Sequence, residues 1–263
     1  MALPKLLRSP FRKQPPEIRQ LFANWLATDL GEQILAEQQA VLDELLPGIP
    51  GMRAAQLSST SAPSMLAASV IPLCWTLAPC SGSAEVIARP AALPLAKRSL
   101  DLLLLHHCLD IEDNPHLVLR EAVQALQPGG ALVVVGFQPL GLWGLLRIFL
   151  MATRRSPWLA RFLRPHRVSD WLQVLGCEVE GYESRFYNLP LASATARQRF
   201  RWLAWLGAHL WSQHGAFYVL VARKRAMMMR PKPSRFAVPG QVPNVIPVSM
   251  ARWQRRDSNQ EQS

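Results

Sequence analysis

Two histidines and a cysteine stand side by side at His106, His107 and Cys108, and three acids follow at Asp110, Glu112 and Asp113. Imidazole titrates near neutrality, so a histidine here can take a proton from a bound nucleophile, and His106 is the candidate base. Successive strand side chains point to opposite faces, so the spacing predicts that only one of the two rings faces a cleft. Adjacent residues rarely converge on one ion, so no metal site is expected. The acids read as solvated groups approaching a helix start, where negative charge is favoured. A second polar stretch, Gln56-Leu57-Ser58-Ser59-Thr60-Ser61, offers small hydroxyls after a short apolar run.

The elements that must position these groups are legible around them. Residues 100–105 form an apolar run without polar alternation, as expected of a parallel strand covered on both faces. Asn114 before Pro115 predicts a capped helix start, and Leu117, Val118, Ala122, Val123 and Leu126 recur at helical spacing. Pro128-Gly129-Gly130 ends that helix, and residues 131–137 form a second buried strand. The unit is a strand–helix–strand crossover of an open α/β sheet. Ligands of such sheets sit beyond the carboxyl ends of the strands, an edge that here includes Ser58 to Ser61, His106 to Asp110 and Gln138.

Upstream, helical periodicity covers 17–30 and 31–46, a strand is expected at 54–58, and a short helix from Pro63 to about Ser69 leads into strands at 73–78 and 84–88. Downstream, helical segments are expected at 142–152 and 157–163, and a helix from Val168 or Ser169 to Gly176. A strand at 177–184, an amphipathic helix at 197–212 and a last strand at 216–224 follow. Trp143, Phe149, Trp158 and Phe162 alternate with Arg147, Arg154, Arg155, Arg161 and Arg164; aromatics so spaced usually form core.

The chain has 263 residues, 49% of them hydrophobic, and a net charge of +11. Size and composition indicate one globular domain with a substantial core. Nine of the bases, against two acids, lie between Arg223 and Ser263, in a proline-rich stretch expected to be disordered. The expected domains are a basic extended arm over 1–16, the α/β domain over 17–225 and the tail over 226–263. The domain carries a helical extension at 17–50 and a helical insertion at 185–214. The four cysteines form no CxxC pair, which suits free thiols in the cytoplasm. No run of about 18 apolar residues suggests a membrane span.

The stretch ALPLAKRSLDLLLLHHCLDIEDNPHLVLREAVQALQPGGALVVVGFQP resembles the signature of the type-11 methyltransferase domain. Leu93-Pro94, Ser99, Asp101, His106, Pro115, Leu119-Arg120-Glu121, Pro128-Gly129-Gly130 and Gly136-Phe137 hold matching positions. Residues 22–46 and 136–147 are also similar to a group of uncharacterised bacterial methyltransferase-like proteins, and the likeness spans about 17–224. It implies the Rossmann-like class I S-adenosylmethionine-dependent methyltransferase fold, α/β, with a mostly parallel sheet, an antiparallel last strand and helices on both faces. It also implies S-adenosylmethionine as cofactor, held by Gln56, Leu57, Ser58, Ser59, Ser61, Pro90, Ala91 and His106, and a small-molecule methyl acceptor.

The cofactor motif is degenerate. The turn after the first strand has no glycine, although close approach of backbone to the cofactor favours one. No Asp or Glu occurs from Leu45 to Ala84, where the family places a ribose-binding acid, and Arg89 takes the position of an acid that meets adenine. The leading expectation is methyl transfer to a small molecule; the alternative is a catalytically inactive binding or scaffolding protein that has lost the cofactor. Nucleic acid lacks a supporting motif, and the basic aromatic surface offers a peripheral membrane contact as a further partner class.

Overall fold

The computed structural model describes residues 15–60, 63–79, 84–141, 143–144, 146–147, 157–187 and 215–226. All belong to one compact unit spanning Met1–Ala226. Of the arm expected over 1–16, the insertion expected over 185–214 and the tail expected over 226–263, residues 1–14, 188–214 and 227–263 lie outside the described residues, as does Ser61; residues 15–16 already belong to the first helix and Arg185 still belongs to a strand.

Two helices come first. In α1 (Pro15–Leu26), Ile18, Phe22 and Leu26 recur every four residues and are buried, the spacing of a single helix face. Thr28 caps α2 (Asp29–Leu45) by accepting the Gly31 N–H at 3.3 Å, and Asp29 and Glu32 occupy its first turn, where acids complement the helix dipole. The buried stripe of α2 runs through Leu30, Ile34, Gln38, Val41 and Leu42, with one polar residue in its middle.

The sheet contains β1 (Arg53–Ser58), β2 (Leu73–Ala78), β3 (Val86–Ile87), β4 (Leu100–His106), β5 (Leu126–Phe137), β6 (Cys177–Arg185) and β7 (Phe217–Lys224). Its order is β3-β2-β1-β4-β5-β7-β6. The first five strands run parallel, and β7 lies antiparallel between β5 and β6. This is the mostly parallel sheet with an antiparallel last strand that the sequence led us to expect.

Strand alternation sorts the core into two layers. Ala54, Leu102, Leu104, Val133, Val135 and Val219 pack beneath α1 and α2. Ala55, Leu57, Leu103, Leu105, Val134 and Leu220 face α3 (Cys108–Ile111), α4 (Pro115–Ala125) and α5 (Pro165–Val174). At the amino end of the sheet Asp101 accepts the Met52 and Arg53 N–H groups at 2.8 and 2.9 Å, so this signature acid anchors the start of β1, far from the carboxyl edge.

Several local expectations are corrected. No helix forms over 63–69, because the Gln56 side chain supplies the partners a helix would have provided. Its Nε2 donates to Pro63 O and Ser58 Oγ, both at 2.9 Å, and its Oε1 accepts the Met65 N–H at 2.6 Å. Met65 and Leu66 thereby drop into the core. Asn114 makes no side-chain cap to α4; the Pro115 ring at the first helical position sets that start alone. Residues 157–163 are turn and coil, and α5 begins at Pro165, again with proline at the first position. Gly176 ends it with φ +83°, a left-handed exit that glycine adopts without strain. Because no described helix covers the β2–β3 side, Leu73 and Ile87 stay 47% and 67% exposed.

Candidate functional site

The carboxyl ends of β1, β4 and β5 meet at His106, which lies level with Ser58 on one side and Val135 on the other. The Ser59 N–H donates to His106 O at 3.1 Å, and the His107 N–H to Val135 O at 3.0 Å. His107 then takes a left-handed conformation, φ 54° and ψ 16°, and leads directly into α3. Histidine tolerates that region better than most non-glycine residues. The turn overrides strand alternation: both rings point to the α2 side, with centroids 4.7 Å apart. The expectation that the two histidines face apart is thus overturned.

Gln38 bridges the two rings. Its Oε1 lies 3.0 Å from His106 Nε2 and its Nε2 lies 2.9 Å from His107 Nε2. On the far side, His107 Nδ1 meets Asp110 Oδ2 at 2.8 Å, and that oxygen also accepts the Phe137 N–H at 3.1 Å. Gln38, His106, His107 and Asp110 are all buried. Asp110 is therefore no solvated acid: the one-turn helix α3 carries it inward and the β5 backbone binds it.

Burial sets the protonation of the group. It pushes His107 down to about 3 and, with the neighbouring His107 ring adding to it, holds His106 well below the usual imidazole range. Both rings are neutral at pH 7. Burial raises the Asp110 carboxyl well above its ordinary value, against the opposing pull of the Phe137 N–H and Arg147. Cys108 is raised as well, first by burial and then by Glu112 and Asp110, and its thiol donates to Leu57 O at 3.0 Å. A protonated thiol so engaged is no nucleophile.

Several buried polar atoms at this edge have no partner among the described residues, Ser59 Oγ and His106 Nδ1 included. The other candidate residues are spread around them. Gln56 is committed to residues 58–65, and Ser58 Oγ accepts from it. The Leu57 side chain lies in the core on the α4 side, which leaves only its backbone toward the edge. Pro90 and Ala91 form the turn between Arg89 and Ala92, beyond β3, which β2 and β1 separate from β4.

The aromatic residues nearby are mostly core. Trp143 and Trp158 are buried and meet at a tilt of 42°, with centroids 5.5 Å apart, and the Phe137 ring lies 4.4 Å from that of His107 and 5.0 Å from that of Phe162. Arg147 donates to Trp158 O at 3.0 Å, within the segment, and Arg161 donates to Asp113 O at 2.9 Å, which ties the segment to the α3–α4 region. An open cavity of about 600 Å³ lies beside Pro139, Phe162, Arg164 and Arg167 at the start of α5. Among the described residues no cluster of metal-ligating groups occurs.

No motif gives prominence to Gln38. Its spacing does: four residues after Ile34 and four before Leu42, it occupies a core position of α2, and a polar residue there needs a buried partner.

A sulfonium nucleoside fits this edge in one respect and departs in another. Ser59 Oγ and His106 Nδ1 are the kind of buried, unpartnered atoms that a ligand would satisfy. The turn they flank is closed by Gln56, however, and Ala78-Pro79 ends β2 where a ribose would meet an acid.

Residues 64–134 match the methyltransferase domain family, a match that begins beyond β1 and its turn. An uncharacterized protein, YafS, of Escherichia coli (strain K12) is 34% identical over 151 residues, 57% of this chain and 59% of that protein. The match thus spans less than two thirds of that relative. A S-adenosylmethionine-dependent methyltransferase of Thermotoga maritima superposes with a TM-score of 0.50 at 17% identity, covering 80% of this chain and 99% of the other. The [4+2]-cyclase SpnF superposes with a TM-score of 0.52 at 13% identity over 82% and 98%; such likenesses establish the fold and leave the reaction open. The chain thus has the Rossmann-like fold of the class I S-adenosylmethionine-dependent methyltransferases, and its residues 64–134 are similar to the methyltransferase domain family.

Proposed function

We propose that the protein transfers a methyl group from S-adenosylmethionine to a small-molecule acceptor at the carboxyl edge of β1 and β4. The observation that carries this reading is the pair of buried, unpartnered atoms, Ser59 Oγ and His106 Nδ1, at the ends of those two adjacent strands. Ser58, Ser59 and Thr60 would hold the cofactor through backbone and hydroxyl contacts, with Pro90 and Ala91 toward its adenine end. When bound, that group supplies an electrophilic methyl. The protein's own task is to orient the acceptor and exclude water, and His106, neutral and set edge-on against the His107 ring, is the residue we assign to the acceptor side. The free, buried thiols of Cys108 and Cys177 suit a reducing compartment such as the cytoplasm.

Isothermal calorimetry and thermal shift with S-adenosylmethionine and S-adenosylhomocysteine test the proposal. Binding is expected to raise the melting temperature, by a stabilisation of about 2.7 kcal/mol at a hundredfold excess over Kd. Absence of heat and of any shift at millimolar ligand overturns it. One observation favours a second reading, a binding protein without cofactor: Gln56 fastens the β1 turn shut from within. On that reading neither ligand binds, while the fold and its buried network stay intact.

A further inference from the structure

We infer that Gln38 is a positioning residue that locks His106 and His107 in opposite tautomers, so that His106 presents a bare Nδ1 to a ligand group bearing N–H or O–H. The argument runs from the backbone outward. Asp110 Oδ2 accepts the Phe137 N–H, which favours a bare, accepting oxygen there, and we place the shared proton on His107 Nδ1, 2.8 Å away. A neutral imidazole has one protonated nitrogen, so His107 Nε2 is bare and needs a donor. The amide nitrogen of Gln38 lies there at 2.9 Å and is that donor.

The orientation of the amide is then fixed, because turning it over would set the Gln38 oxygen against the lone pair of His107. Its Oε1 faces His106 and can only accept, so His106 Nε2, 3.0 Å away, carries the proton. His106 Nδ1 is left as a lone pair, buried and unpartnered. The order of hydrogen-bond donation from Phe137 to His106 is thus set by one backbone N–H, and both imidazole bridges end on the single amide of Gln38.

A lone pair in that position selects its ligand by chemistry. A hydroxyl, a phenol or an amine N–H completes it; a carboxylate or phosphate dianion, which has only lone pairs to offer, is repelled. Under the methyl-transfer reading, on which this half of the inference rests, the acceptor atom is the oxygen or nitrogen that bears the donated hydrogen. The tautomer half does not depend on that reading.

Two-bond proton–nitrogen correlation spectra of the uniformly nitrogen-15-labelled full chain at pH 7 read the tautomers directly. The expected spectrum shows His106 protonated at Nε2 and His107 at Nδ1. Both rings in one tautomer, or the two reversed, overturns the inference. In Gln38→Glu, whose carboxylate offers an acceptor to each ring, His107 is expected to gain a second proton at Nε2 while keeping the one that faces Asp110, and His106 keeps its tautomer; an unchanged His107 signal overturns the role of Gln38. Should that variant fail to fold, the wild-type spectrum alone still decides the tautomers.

Ligand selection is read on the same signals with two probes of similar shape. Phenol at millimolar concentration is expected to shift His106 Nδ1 at least threefold more than benzoate does. Equal shifts, or none with phenol, overturn the donor selectivity. Calorimetry with S-adenosylmethionine is independent of both readouts, so loss of the methyl-transfer reading would be seen separately from loss of this one.

Discussion

Oε1 of Gln56 accepts the Met65 N–H at 2.6 Å, tying the middle of β1 to chain nine residues further on. The same side chain satisfies Pro63 O and Ser58 Oγ. Replacing it with leucine removes three partners at once and leaves a buried N–H unpaired, a defect that costs about 1–3 kcal/mol for the stranded group. Gln56→Leu is therefore expected to lower stability by about 2–3 kcal/mol, measured by urea unfolding. A loss within error of zero would show that residues 63–65 find other partners.

Stability should fall on acidification below neutrality. Both histidines hold folded pKa values beneath their unfolded value of 6.5, His107 at about 3. As pH drops below 6.5 the unfolded chain binds protons that the folded rings refuse, so folding weakens toward pH 3. Asp110, raised in the fold from 3.8, works the other way: it takes up its proton early and offsets part of the loss. Two histidines against one acid leave a net decline of about 1.4 kcal/mol per pH unit for each excess proton on the unfolded chain. Melting temperatures from pH 7.5 to 4.5 check the sign, and the double variant His106→Gln/His107→Gln should flatten the slope.

What the sequence made legible was whatever depends on local pattern. The apolar run of β4 and the proline-led start of α4 appear in the structure because each is written in consecutive residues, and the mostly parallel sheet with an antiparallel last strand appears as the type-11 resemblance implies. Long-range polar satisfaction was not legible. Gln56 and Gln38 look like ordinary amides in the sequence, yet one replaces a helix and the other joins α2 to the end of β4. Asp110 is hidden for the same reason: three acids within four residues suggest solvent, and the fold turns one of them inward onto Phe137. The His106–His107 pair failed through a single backbone angle, the positive φ of His107, which no spacing rule contains.

The corner between α1 and α2 delivers Gln38 to the histidines, and Gly31 is its tightest point. A Cβ there would stand 2.6 Å from Leu26 O and equally close to Leu26 Cα, both backbone atoms that cannot swing aside. Gly31→Ala should cost about 1–3 kcal/mol as the helices are forced apart. Thr28→Ala, which loses the cap to Gly31 without crowding, should cost about 1 kcal/mol. Chemical denaturation of both variants compares them, and an alanine at 31 that costs less than the one at 28 would contradict this packing.

Ser59 separates binding from folding. Its hydroxyl is buried and has no partner in the structure, so its removal forfeits no hydrogen bond in the free protein and relieves a stranded polar group. Ser59→Ala is accordingly expected to unfold at the wild-type urea concentration or slightly above. If the hydroxyl meets S-adenosylmethionine, the same variant loses one neutral hydrogen bond in the complex, about 0.5–1.5 kcal/mol, or roughly a 2- to 12-fold weaker Kd by calorimetry. Unchanged affinity in a stable variant would remove Ser59 from the site, whereas weakened affinity without loss of stability is a result that a purely structural serine cannot produce.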